Sequence, residues 1–236
     1  PLGGVRVCDF GHGGVGVEVG RLLGEYGADV VKIESRTYPD FIRGVTGTEM
    51  SPSFASSSRS KRSLGVNAKE PQGHELLLKF VESSDVVIEN LRPGAVRRLG
   101  LGYDTVKAVR PDIVYASMGM YGNEGPLSYQ TGYAPCFAAL GGLSALVGYE
   151  GGPPAGMNVR YADATFGAAA AYATVVALAH RRRTGVGQYI DVSAVESMSS
   201  MIGDTIMDFA LNGAVHACDG NRHPDMAPHG AYACGD

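Results

Sequence analysis

The chain alternates two hydrophobic patterns. Short β-rich runs occur at Val5–Phe10, Ala28–Glu34, Ser63–Asn67, Val86–Asn90, Ile113–Met118 and Gln188–Ser193, and they predict six strands. Between them lie helix-length segments. Val17–Tyr26 carries apolar Val19, Leu22 and Leu23 and stops at Gly27, and Pro71–Glu82 follows the third strand. Leu91-Arg92-Pro93-Gly94 opens a basic helix containing Arg97 and Arg98, and Tyr103–Arg110 forms a short one. Such alternation predicts a doubly wound, Rossmann-like α/β domain with a mostly parallel sheet. Beyond the fifth strand a loop covers 119–132, and Ala134–Val147 reads as an apolar helix interrupted by glycine. Ala194–Leu211 reads as one Met-rich helix in which Met198, Met201 and Met207 serve packing. The large domain is expected over 1–193, with 194–236 a helix and a polar linker toward a smaller domain. Ala231–Asp236 reads as a strand entering a turn without its partner, so a piece of a larger unit is expected.

Two features depart from this rhythm. Gly11-His12-Gly13-Gly14-Val15-Gly16 joins the first strand to the first helix, and Gly11, Gly13 and Gly16 fit G-x-G-x-x-G, with Glu34 eighteen residues on. That is the form of a dinucleotide site, and equally of a tight turn between closely packed elements. The second departure is the polar stretch Ser35–Ser60, with Arg36, Asp40 and Arg43, where a loop replaces the next helix.

Composition narrows the options. With 236 residues, net charge −4 and interspersed signs, nothing marks a nucleic-acid or membrane surface, and no apolar run of about 18 residues is read as spanning a bilayer. Cys8, Cys136, Cys218 and Cys234 show no framework spacing, so a reducing cytoplasm is expected. Cys218, His223, His229 and Cys234 do not have a zinc spacing, and no metal is expected. The 34 glycines are twice the usual share of ~7 % and imply close backbone approaches.

The chemistry centres on Asp163. It follows a Gly/Pro-rich segment (Gly151–Pro154, Gly156) and precedes an Ala-rich helix ending in His180-Arg181-Arg182-Arg183, with Gly185 and Gly187 as stops. It is expected at the mouth of that helix, where an acid is also simply a good cap. Basic residues and an amide gather after the strands: Arg36, Lys69, Asn90, Arg92 and Arg98. Cations beyond the carboxyl ends of parallel strands suit a multiply phosphorylated nucleotide.

Pro1–Val7, Gly24–Glu34, Lys61-Arg62-Ser63-Leu64, Glu89-Asn90-Leu91-Arg92-Pro93-Gly94 and Arg183-Thr184-Gly185-Val186-Gly187-Gln188 together resemble the class III CoA-transferases (CaiB/BaiF type), in order and over essentially the whole chain. The resemblance implies coenzyme A as cosubstrate, an acyl-CoA donor and a carboxylic acid acceptor, and a dimer whose chains interlock, homomeric or with a related chain. It makes the glycine motif a lookalike. It implies Asp163 as covalent nucleophile, with Tyr133 thirty positions before it. The CoA contacts it implies are Gly14 and Val15, Arg36, Val66 to Lys69 (Asn67 among them), Asn90, Leu91, Arg92, and Arg98. Arg36 lies one place past the family's usual arginine, where this chain has Ser35, and Gly14 replaces a glutamine found in some transferases. The family's racemase branch needs a His-Asp pair where this chain has Tyr133-Ala134. Tyrosine, with a pKa of about 10, is a poor base near neutrality, which argues for transfer over racemisation. A catalytically silent CoA-binding subunit and a nicotinamide-dependent oxidoreductase are the readings from other classes.

Overall fold

The computed structural model describes residues 1–44, 50–156, 159–223 and 225–235. The chain forms two compact units, Pro1–Thr131 with Asp163–Ala194, and Gly132–Ala162 with Val195–Asp236.

The first unit is built on one parallel sheet of strands β1 (Arg6–Asp9), β2 (Asp29–Glu34), β3 (Arg62–Gly65), β4 (Val86–Glu89), β5 (Val114–Gly119) and β6 (Gln188–Ser193), in the order β3-β2-β1-β4-β5-β6. The doubly wound sheet that the alternation predicted is therefore present. Its central strands are apolar on both faces because both are covered: β4 is buried throughout, whereas the edge strands β3 and β6 are largely exposed. Register is continuous across the centre, with Val7 opposite both Val30 and Val86. Helices α3 (Pro71–Glu82) and α5 (Tyr103–Val109) cover one face. There Leu77, Val81 and Val106 pack with Cys8, Phe10, Val31, Ile33, Val87 and Tyr115. Helix α1 (Val15–Glu25) lies on the other face and contacts β1, β2 and β4.

Between β2 and β3 the expected loop contains structure. A 3-10 turn at Phe41–Arg43 is capped by the Asp40 carboxylate, and α2 (Pro52–Ser57) is capped by Ser51 with Pro52 at its first position. Part of that stretch, 45–49, lies outside the described residues. The basic segment forms only one turn, α4 (Ala95–Arg98).

Helix α7 (Val159–Thr184) is the longest in the chain. It starts earlier than expected, so Asp163 is its fifth residue and not its cap. Its stop falls as expected, at Gly185 with φ +75°, a left-handed conformation that glycine adopts without steric cost. By length and composition alone α7 is apolar enough to cross a membrane, a match that the sequence reading did not single out. From Asp163 onward it packs on α1: a Cβ at Gly167 would meet Glu18 Cβ at 2.7 Å. Arg181 then ties its far end to Asp85 and Asp112 at 2.9 and 2.6 Å.

In the second unit the two helices expected to be continuous are broken. The first is α6 (Ala134–Leu140) followed by a 3-10 turn at Leu143–Leu146, because Gly142 takes φ +89°. The second divides into α8 (Ala194–Ser199), a 3-10 turn at Ser200–Ile202, and α9 (Gly203–Asn212). Met198 is buried with its Cβ 2.6 Å from where a Gly141 side chain would begin, whereas Met201 and Met207 are exposed. The expected terminal strand is absent, since 231–235 have no regular structure and Asp236 lies outside the described residues.

Candidate active site

The carboxyl ends of β1 and β4 meet where the chain reverses its winding, the position at which open α/β sheets bind ligands. Two loops converge there, the glycine turn after β1 and Asn90–Arg92 after β4. Asn90 locks them together, its Oδ1 accepting from the His12 N–H at 2.8 Å while its Nδ2 donates to the His12 carbonyl at 2.8 Å. The Asn90 amide, grouped by the sequence with the candidate ligand contacts, is thus spent on the backbone of the glycine turn.

Close packing accounts for the glycine spacing. A Cβ on Gly11 would lie 2.4 Å from the Gly16 carbonyl carbon, and one on Gly16 would lie 2.4 Å from Asn90 Oδ1. Glu34, the acidic residue of the motif, is unavailable to a ribose because it is buried and accepts from Arg43 Nη2 at 2.7 Å and from the Asp40 N–H at 3.0 Å. Burial alone would raise its pKa, but Arg43, the Asp40 N–H and Lys32 outweigh burial and hold it at about 2. Of the two readings of the motif, the tight turn is the one formed.

Beneath this turn lie two buried ion pairs that the sequence reading missed. Lys32 bonds the Gly11 carbonyl and pairs with Asp40 at 3.0 Å, while Lys61 pairs with Asp9 at 2.8 Å and donates to the Val17 carbonyl at 2.7 Å. Asp9 also accepts from the Gly11 N–H at 2.7 Å and Asp40 from the Gly13 N–H at 3.1 Å, so every charge is paired and the turn is held from below. A lysine inside the apolar β2 run was the available signal. Burial pushes His12 below its usual range, Lys32 adding to the effect against Asp40, Glu34 and Asp9, so its imidazole is neutral at neutral pH.

Asp163 comes to this turn from α7. Its half-buried carboxylate occupies the space beside Gly14: a Cβ built there would stand 2.0 Å from Asp163 Oδ2 and 2.4 Å from its Cγ. Gly14 is the N-cap of α1 and supplies no side-chain cap. The carboxylate therefore lies at the start of α1 and not, as expected, at the mouth of its own helix.

The remaining predicted residues sort by place. Lys69 and Arg98 line one cleft of ≈ 440 Å³ with Ala68, Pro71, His74 and Gly100. Lys69 Nζ reaches the Tyr38 hydroxyl at 3.0 Å, and the Asn67 Oδ1 accepts from the Lys69 N–H at 3.1 Å. Val66, at the end of β3, donates its N–H to the Glu34 carbonyl at 2.8 Å. Leu91 donates its N–H to Glu89 at 2.9 Å, and Arg92 and Arg36 are exposed. Tyr133 belongs to the second unit, where it is the exposed N-cap residue of α6. His74 was not anticipated; its Nε2 lies 3.3 Å from the Gly100 carbonyl.

A polar chain across β4, β5 and β6 was also missed. The Ser117 hydroxyl bonds buried Glu89, Asn123 Nδ2 donates to Ser117 at 3.0 Å, and the Asn123 N–H reaches Asp191 at 2.8 Å. Burial pushes the Glu89 carboxyl up, with Asp191 adding to it and Ser117 and the Leu91 N–H opposing.

Residues 2–236 match the model of CoA-transferase family III. The chain is 33 % identical to an acyl-CoA transferase of Fusarium pseudograminearum, covering 100 % of this chain and 54 % of that protein. It is 32 % identical to the succinyl-CoA–L-malate CoA-transferase beta subunit of Chloroflexus aurantiacus, over 100 % of this chain and 60 % of the relative. A crystal structure of a CaiB/BaiF family protein from Brucella suis superimposes with TM-score 0.90 at 33 % identity, covering 97 % of this chain and 62 % of that one. The chain thus spans between half and two thirds of the length of these relatives. With the matching family model over nearly every residue and the Rossmann-like sheet superimposing on a solved member, this chain belongs to the class III CoA-transferase family.

Proposed function

We propose that the protein moves CoA from an acyl-CoA to a carboxylic acid, with Asp163 as covalent nucleophile. The observation that carries this reading is the placement of the Asp163 carboxylate against the glycine turn, at the start of α1 and at the switch point of the sheet. Asp163 attacks the thioester carbonyl and expels CoA thiolate, giving a mixed anhydride. The thiolate then attacks the aspartyl carbonyl and releases the donor acid, leaving an aspartyl-CoA thioester. The acceptor carboxylate repeats the sequence in reverse and restores Asp163. N–H groups at the start of α1 suit the oxyanion of each tetrahedral intermediate.

Lys69 and Arg98 supply cations to the phosphates of CoA in the cleft they share, and Val66, Asn67, Leu91 and Arg92 are further CoA contacts on the family resemblance alone. Tyr133 is retained as a catalytic residue on the family resemblance alone, at the sequence position where a racemase would carry a base. A dimer of identical or related chains is part of this reading, and the relative named as a beta subunit lends support to the heteromeric form. The spacing of the four cysteines, which fits no disulfide framework, is the ground for proposing a reducing cytoplasm.

The test is trapping by hydroxylamine after incubation with a panel of acyl-CoAs, read by peptide mass spectrometry. A hydroxamate on Asp163, absent in Asp163→Asn, is expected, together with a fall in turnover on the order of 10⁴-fold. CoA binding with Asp163 unmodified would overturn the covalent route and leave a binding subunit or a racemase.

A further inference from the structure

We infer that Gly14 is a positioning residue for the nucleophile: the missing side chain is the seat of the Asp163 carboxylate. Backbone conformation does not require glycine here, because Gly14 has φ −77° and ψ −55°, a region open to every L-residue. Space is the constraint: a Cβ here would force the Asp163 side chain to shift. The three atoms nearest to a Cβ at this position are Oδ2, Cγ and Cβ of Asp163, at 2.0, 2.4 and 3.0 Å. Neighbouring glycines behave differently: Gly11 and Gly16 make room for each other and for Asn90, and Gly13 for the Phe41 ring. At Gly14, unlike Gly11, Gly13 and Gly16, all three of the nearest atoms belong to the carboxylate-bearing side chain of Asp163.

The seat has two chemical consequences. α1 lacks a side-chain cap, so its first N–H groups carry the positive end of the helix dipole, and a carboxylate beside Gly14 lies in that field. The rim of the seat is also tied down by hydrogen bonds, because Asn90 clamps His12 through both its N–H and its carbonyl and Asp40 holds the Gly13 N–H. A methyl group at position 14 would occupy the carboxylate's place and move it away from the helix start while leaving the clamp intact.

This inference rests on the transferase reading for its catalytic meaning, but its steric half can be tested without any substrate. The thermal midpoints of the unaltered protein, Gly14→Ala, Asp163→Ala and the double variant form a cycle. Gly14→Ala is expected to lower the midpoint when Asp163 is present and to have little effect in the Asp163→Ala background, where the two closest atoms are gone. Equal shifts in both backgrounds would overturn the seat. In acyl transfer, Gly14→Ala is expected to reduce kcat by about 10²-fold, the cost of a displacement near 1 Å, with a much smaller change in KM for acyl-CoA. A coupled cycle with unchanged kcat would overturn the positioning role. A coupled cycle in a protein that shows no transfer with any acyl-CoA would overturn the transferase reading and leave the seat standing.

Discussion

At the scale of single residues, polarity is placed against local expectation and then compensated. Glu89 is a carboxyl inside a fully buried strand, and its pKa is raised by burial. The folded protein therefore holds this proton more tightly than the unfolded chain does. Stability is retained below the usual carboxylate range and is lost as pH rises from about 4.5 through the folded value. Glu89→Gln keeps an acceptor for the Leu91 N–H and cannot ionise. Its thermal midpoint relative to the unaltered protein is expected to increase as pH is raised above about 4.5, measured by circular dichroism across a pH series. A midpoint difference independent of pH would place the ionised form at no disadvantage in the fold.

At the scale of elements, the glycine turn joining β1 to α1 acts as one packed object. Gly16→Ala would drive a methyl group to 2.5 Å from the Gly11 Cα and 2.4 Å from Asn90 Oδ1. A destabilisation of about 1–3 kcal/mol is expected in urea unfolding. Gly3→Ala, with nothing within 4 Å, is the matched control. The ion pairs below the turn are a second element-level feature. Lys61→Met would leave the Asp9 carboxylate buried without its cation, at a cost of about 3–5 kcal/mol in the same measurement. Lys79→Met on the exposed face of α3 removes only a solvated pair with Glu75 and is expected to leave the same measurement essentially unchanged.

At the scale of the whole molecule, the carboxyl edge of one sheet borders both the Asp163 carboxylate proposed as nucleophile and the cations proposed for CoA. Lys69 and Arg98 come from segments after β3 and β4, yet they face one cleft. CoA is expected to raise the thermal midpoint, and at 100 times its dissociation constant the added stability is about 2.7 kcal/mol. NAD and NADP are expected to leave the midpoint unchanged, because Glu34 is already committed to Arg43. Arg98→Gln is expected to weaken CoA about tenfold in calorimetric titration, the worth of one charge-assisted contact.

Periodicity alone determined the six strands and glycine marked the stop at Gly185, because each depends on neighbours a few residues apart; the alternation of elements pointed to the doubly wound class, while the strand order is a matter of long-range pairing. Residue patterns in order along the chain were specific enough to carry the family, and with it the choice of Asp163. Three things waited for tertiary structure. The breaks at Gly142 and before α9 depend on local backbone geometry and on packing within the second unit, which no apolar count reports. The role of Asn90 depends on His12, 78 residues away, and the pairing of Lys61 with Asp9 spans 52. The seat of Asp163 is set by the absence of a side chain on Gly14, a residue in a different element. A glycine in a sequence signals freedom or space without saying which, and only the packed structure shows what fills the space.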